Sequence, residues 1–309
     1  MLSRVAHRAY WLARYLERAE DTARLILVRH QSILDLPRNL QPGWDVLLDV
    51  LGASEHFASR PGAATEKNII SYVFSDRQNP SSIISNLASA RENMRTSREV
   101  LPSEAWERVN SLYLSVARRS NKGLPRASRH QVLNGIIQSC QQITGMLAGT
   151  MNQDAAYQFV RLGRNLERAD MTTRIIDAGS ANLVSSGDEA LPYQNVMWIS
   201  VLQSLSAYQM YRLSVGANVH PADVQHFLLR NVDFPRTLAH CLAQLEGCMK
   251  KLPGAADPLK QVQLVQRKLK RSNCRELQGD ALYKLLDDMQ LRLQKIDEVI
   301  TATWFTPEQ

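Results

Sequence analysis

Apolar positions recur at helical spacing along almost the whole chain. In the first segment Val5, Ala9, Leu12, Leu16, Ala19, Ala23, Ile26, His30 and Ile33 follow one another in alternating steps of four and three. Those steps place all of them on one seam of a long helix. Ser3 is the expected N-cap, and Pro37 followed by Pro42-Gly43 closes the segment, so the pattern predicts a helix over 3–34. The same reading predicts helices over 44–54, 66–75, 80–99, 103–119, 128–149, 154–178, 192–213, 221–231, 235–252, 258–271 and 276–302. Asn79-Pro80 and Leu101-Pro102 are start signals, because proline fits the first turn. No alternating β-run competes, and the short apolar stretch 69–74 has helical flanks. Loops are expected at 60–64 and 180–191, where Gly, Pro and Ser gather. The fold class is all-α, a helical bundle.

The helical pattern repeats itself. Residues 12–26 match residues 162–176 at nine of fifteen positions with an offset of 150, including Leu16-Glu17-Arg18-Ala19 against Leu166-Glu167-Arg168-Ala169. Further on, Trp44, Leu48, Leu51 and Ala53 meet Trp198, Leu202, Leu205 and Ala207 at an offset of 154, and Pro80 meets Pro235 at 155. A drift of this size is what loop insertions produce. The chain therefore reads as two diverged helical repeats, 1–150 and 151–309, sharing one core. The long helices 3–34 and 154–178 are expected to meet near a pseudo-twofold axis, bringing the two Glu-Arg motifs together.

That expectation singles out a charged stripe. Arg14, Glu17, Arg18, Asp21 and Arg24 recur at three- and four-residue steps beside the apolar seam. The second copy keeps Arg164, Glu167, Arg168 and Arg174, with Met171 in place of Asp21. An ion-pair network pinning two helices accounts for such a stripe; so does a polar pocket whose arginines hold a carboxylate or phosphate. A second cluster, residues 91–99, offers Glu92 and Arg95 on a charged helix face.

Composition narrows the chemistry. The formal net charge is +7, which permits an anionic partner without requiring one. The basic run 267–271 has no interleaved aromatics, which argues against nucleic acid. The four cysteines form no C-x-x-C pair, and His220, Asp223 and His226 read as surface and cap residues, so no metal site is expected. A di-metal helical site needs Glu-x-x-His pairs, and none occurs. No Gly-rich phosphate loop or nucleophile elbow is present, so no cofactor is expected. Without a signal-peptide pattern or a membrane-length apolar run, the expected location is the cytoplasm.

The opening Met1-Leu2-Ser3-Arg4 with Tyr10-Trp11-Leu12-Ala13-Arg14-Tyr15-Leu16-Glu17-Arg18-Ala19-Glu20 resembles the start of the bacterial alpha-E domain family. The segment 90–99 leading to Glu104-Ala105-Trp106-Glu107, then Phe234-Pro235-Arg236-Thr237 and the ending Trp304-Phe305, are similar to its later signatures. The resemblance implies an all-helical domain encoded beside circularly permuted ATP-grasp ligases and transglutaminase-like proteins, which would be its partners. It implies a role in making, attaching or removing an amide-linked group. Arg14, Glu17, Arg18, Glu92 and Arg95 are its family-typical positions, whereas His7 stands where many members carry an acid.

Three functions follow as expectations. The first is an accessory or binding module whose arginines hold a carboxylate-bearing ligand or partner. The second is an enzyme of amide or peptide chemistry with Glu17 or Glu92 as general base. The third is a structural helical dimer, homo-oligomerisation being compatible with all three.

Overall fold

The computed structural model describes residues 3–32, 36–41, 43–120, 123–185 and 192–306. They form fourteen α-helices and no strand. The first series is α1 (Ser3–Ser32), α2 (Val46–Val50), α3 (Ser54–Ala58), α4 (Glu66–Phe74), α5 (Ile83–Arg95), α6 (Ser103–Ser120) and α7 (Arg126–Thr150). The second is α8 (Ala155–Ser185), α9 (Gln194–Ser204), α10 (Tyr208–Ser214), α11 (Pro221–Arg230), α12 (Leu238–Met249), α13 (Ala256–Arg271) and α14 (Gly279–Ile300). None of these helices is long and apolar enough to cross a membrane.

The chain divides into two compact units. The first holds residues 1–27, 44–164 and 304–309; the second holds 28–43 and 165–303. In the first unit α5 packs against α4 and α6, α6 against α7, and α2 against α3 and α4. Ile69, Val73, Phe74, Ile83, Leu87 and Met94 are buried there. In the second, α12 packs against α11 and α13, α13 against α14, and α9 against α10 and α11. Trp198, Leu202, Tyr211, Leu228, Leu242 and Leu286 are buried there. Full burial of such side chains stabilises by about 1.5–3 kcal/mol each.

Local sequence explains most boundaries. The side chains of Thr65, Ser82 and Thr237 accept from the N–H groups of Asn68, Ser85 and His240 at 3.2–3.3 Å and so cap α4, α5 and α12. These caps correct the proline-based starts: α5 begins three residues after Pro80 and α12 three after Pro235. Asn79 and Asn231 arrange each approach, accepting from Ser81 N at 2.9 Å and from Asp233 N and Phe234 N at 2.9 and 2.8 Å.

Two further expectations are corrected. The stretch 192–213 is two helices, broken where Ser206 takes the left-handed conformation at φ 52°. There Ala207 N reaches back to Leu202 O at 2.7 Å, a 6→1 closure of the helix end. The helix read over 44–54 stops at Val50 by the same device, with Gly52 at φ 61° and Ala53 N donating to Leu48 O at 2.8 Å. The loop expected at 180–191 is helical as far as Ser185. Residues 186–191 lie outside the described ones, as do Ile33 and Leu34 of the first predicted helix.

Within the first unit α8 lies close on α1. A Cβ on Gly163 would sit 2.1 Å from the Tyr10 carbonyl oxygen, so only glycine permits this approach. The chain's ending docks nearby. Phe305 lies 5.3 Å from His7 and 5.2 Å from Tyr10 between ring centroids, and Phe159 packs on both Trp304 and Phe305.

Candidate functional site

The stripe on α1 is a buried ionic cluster. Glu17, Glu20, Asp21 and Arg24 are all at most 3% exposed. The Arg24 guanidinium donates to Asp21 Oδ1 at 2.8 Å and also pairs with Glu20. From α7, Gln141 Nε2 donates to Glu20 at 3.3 Å. Burial pushes the Cys140 thiol well above its usual range, and the nearby charges of Glu20 and Glu17 push it the same way. Arg14 is buried against its own helix: its guanidinium lies 4.7 Å from the Trp11 ring centroid and 5.6 Å from that of Tyr10. Arg18 is half-buried, and its carbonyl accepts from the Thr22 hydroxyl at 2.8 Å.

On α8 Glu167 is buried, while Arg164, Arg168 and Arg174 are half-buried. Arg174 donates to Asp170 at 2.9 Å, the counterpart of the Arg24–Glu20 pair, with side chains 32% and 21% exposed. Arg14, Glu17, Arg18, Asp21, Arg24 and Arg164 belong to the first unit; Glu167, Arg168 and Arg174 belong to the second.

Glu92 and Arg95 form a bidentate pair on open surface, at 2.7 and 2.9 Å, with side chains 54% and 51% exposed. Hydrogen bonding from Arg95 lowers the Glu92 pKa, whereas a general base gains from a raised one. Beside it Arg91 and Arg98 stack on Trp106, at 5.6 and 4.4 Å from the ring centroid.

The sequence reading missed one constellation. The first turns of α4 and α7 line a cavity of about 510 Å³ in the first unit. There the Glu66 carboxylate accepts from Arg126 Nε at 3.0 Å and from Arg129 at 2.8 Å. Hydrogen bonding from Arg126 leads the effects that lower its pKa to about 2. Arg129 is 4% exposed, and its guanidinium lies 5.5 Å from the Trp44 ring centroid. Sixty residues separate Glu66 from Arg126, so no spacing rule pairs them. The available signal was Trp44, whose recurrence at Trp198 marks the position in both copies.

These features define an all-helical domain with Glu-Arg pairs embedded in its two longest helices. The chain belongs to the Alpha-E family, described as a predicted alpha-helical domain with a conserved ER motif, which matches residues 1–305. It is similar to uncharacterised proteins of mycobacteria: Mb2597 of Mycobacterium bovis and MT2643 of Mycobacterium tuberculosis CDC 1551, both 23% identical. Rv2567 of Mycobacterium tuberculosis H37Rv is 22% identical. Each alignment covers 97% of this chain but only 36% of the relative, so the chain spans about a third of those proteins. No solved structure matches.

Proposed function

We propose that this chain is an accessory binding module of an amide- or peptide-forming system of the ATP-grasp type, holding a carboxylate of its ligand or partner. The observation that carries the reading is its use as about a third of longer mycobacterial chains, joined to further sequence. A domain employed in that way acts together with what it is attached to. The buried Glu20–Asp21–Arg24 cluster supports the binding role indirectly. Its Arg24–Glu20 and Arg24–Asp21 pairs lie within α1 and brace the helix that carries the half-buried Arg18. Arg18 in the first unit and Arg168 in the second are each assigned a carboxylate, because a guanidinium fork suits one bidentately.

The same proposal takes the two helical series as copies of one seven-helix ancestor related by a pseudo-twofold. Matching helix order supports the common ancestry, as do the Ser82 and Thr237 caps, the Gly52 and Ser206 turns, and the Trp44 and Trp198 positions. An experimental structure whose halves fail to superpose would remove it.

The test of function is complex formation between the full chain and an ATP-grasp ligase of the same organism, by analytical ultracentrifugation, alongside ligase turnover. An Arg18→Ala/Arg168→Ala variant of unchanged melting temperature is expected to lose the complex. Intact binding by that variant, or no complex with the wild-type chain, overturns the reading.

A further inference from the structure

Three arginines of the first unit form no ion pair among the described residues: Arg77 ahead of α5, Arg91 on α5, and Arg98 in the turn between α5 and α6. Each is held instead by an aromatic side chain of α6. The Arg98 guanidinium lies over Trp106, 4.4 Å from the ring centroid, and that of Arg91 lies 5.6 Å from the Trp106 centroid and 5.2 Å from that of Tyr113. Both terminal nitrogens of Arg77 reach the Tyr113 hydroxyl at 3.5 Å. The side chains therefore interleave in one order: Arg98, Trp106, Arg91, Tyr113, Arg77. Asn110 accepts from Arg91 Nε at 2.7 Å and fixes the middle of the row. Trp106, Asn110 and Tyr113 follow one another in steps of four and three, so they share a face of α6.

These arginines are ordered yet still open to a ligand. Stacking uses the flat face of a guanidinium and leaves its N–H edge outward. The terminal nitrogens of Arg91 and Arg98 donate to no described residue. Other arginines of the surface are turned to acids instead, as Arg60 is to Asp76 and Arg292 to Asp288. Few acids compete for the row. Glu92 is taken by Arg95, whose hydrogen bonding leads the effects that lower the Glu92 pKa, with the charges of Arg91 and Arg8 adding to it. Glu99 follows Arg98 in the turn and forms no ion pair among the described residues. Glu104 and Glu107 lie with Arg108 and Ser111 on another face of α6.

We infer that this row of arginines docks an acidic, extended peptide segment of a partner protein. Trp106 and Tyr113 stand two turns apart on α6, about 10 Å along its axis. An extended chain rises about 3.3 Å per residue, so acids three positions apart present their carboxylates at the same interval. Each carboxylate accepts from a guanidinium edge already ordered by its ring, so little side-chain freedom is lost on binding. Single-stranded nucleic acid fits less well, because its bases need bare aromatic faces and guanidinium groups cover these. The inference is independent of the roles assigned to Arg18 and Arg168.

The test is fluorescence anisotropy of labelled deca-glutamate with the full chain at physiological ionic strength. An uncharged Gly-Ser decapeptide and decauridylate carry the same label. Deca-glutamate is expected to bind saturably, and about tenfold more tightly than either of the others. Arg91→Gln/Arg98→Gln is expected to weaken its binding by about tenfold. Arg267→Gln/Lys270→Gln removes the same formal charge from α13 of the second unit and is expected to change it by less than about twofold, since distant charges are screened. Should the Arg91 variant fail to fold, Arg77→Gln/Arg98→Gln, at two exposed positions, is expected to show the same loss. No saturable binding of deca-glutamate, equal or tighter binding of decauridylate, or equal losses from the α5–α6 and α13 variants overturns the inference.

Discussion

Arg24 and Arg174 occupy the same place in two copies of one motif, yet they live in different electrostatic worlds. Arg24 is enclosed with two carboxylates, Glu20 and Asp21, all at most 3% exposed. Arg174 pairs with Asp170 partly in solvent, and Met171 stands where Asp21 does. The lesson is that an i,i+4 pair has no fixed worth. Its contribution is set by how much water the surrounding helices leave around it, and a second buried acid turns a pair into a cluster that cannot lose its cation.

Removing each cation tests this contrast most severely. Arg24→Ala should destabilise by about 3–5 kcal/mol, since it removes the guanidinium that the buried Glu20 and Asp21 share. Arg174→Ala should cost about 1 kcal/mol or less, in line with a partly exposed pair. Chemical denaturation measures both, and equal losses would erase the distinction.

The two units should also part company with pH. Glu66 has a folded pKa of about 2 against an ordinary 4.5, so it binds protons more weakly when folded. Its contribution is present above pH 4.5 and is lost as pH falls from there toward 2. In the second unit burial leads the effects that lower the His226 pKa, with the charges of Arg275 and Arg230 adding to it. A histidine held neutral in this way favours the folded state above its ordinary 6.5, and that advantage declines as pH falls below it. Stability profiles of Glu66→Gln and His226→Gln should therefore depart from wild type in separate windows, the first in strong acid, the second beginning near neutrality. Departures in the same window would show that a different group governs one of them.

The smallest effect sharpens the comparison at its turns. Gly52 and Ser206 adopt nearly the same left-handed backbone, φ 61° and 52°. Gly52→Ser should cost about 1 kcal/mol and Ser206→Gly should gain about as much, because a side chain disfavours that conformation. Thermal melts of the two variants should shift in opposite directions.

The helices were legible because burial of one face imposes a 3.6-residue period, and that period needs no knowledge of neighbours. The recurrence of a motif was legible because Leu16-Glu17-Arg18-Ala19 returns as Leu166-Glu167-Arg168-Ala169. The break at Ser206 was hidden, since serine does not announce a left-handed turn as glycine does. The Gly52 counterpart carried the signal, readable only by aligning the halves.

The candidate residues were less legible than the helices. Their spacing placed Arg14, Glu17, Arg18, Asp21 and Arg24 on one helix, but it gave no measure of which were buried. It could not say that Arg24 would turn to Glu20 and Asp21, or that Arg14 would lie on Trp11. Nor could it join Glu66 to Arg126 and Arg129. By itself the sequence determined that the chain is helical nearly throughout and that one Glu-Arg motif recurs in it, because both are consequences of local period and local identity. Solvent exposure and the pairing of distant charges were decided only by the tertiary structure, because each depends on which helices pack together and how closely.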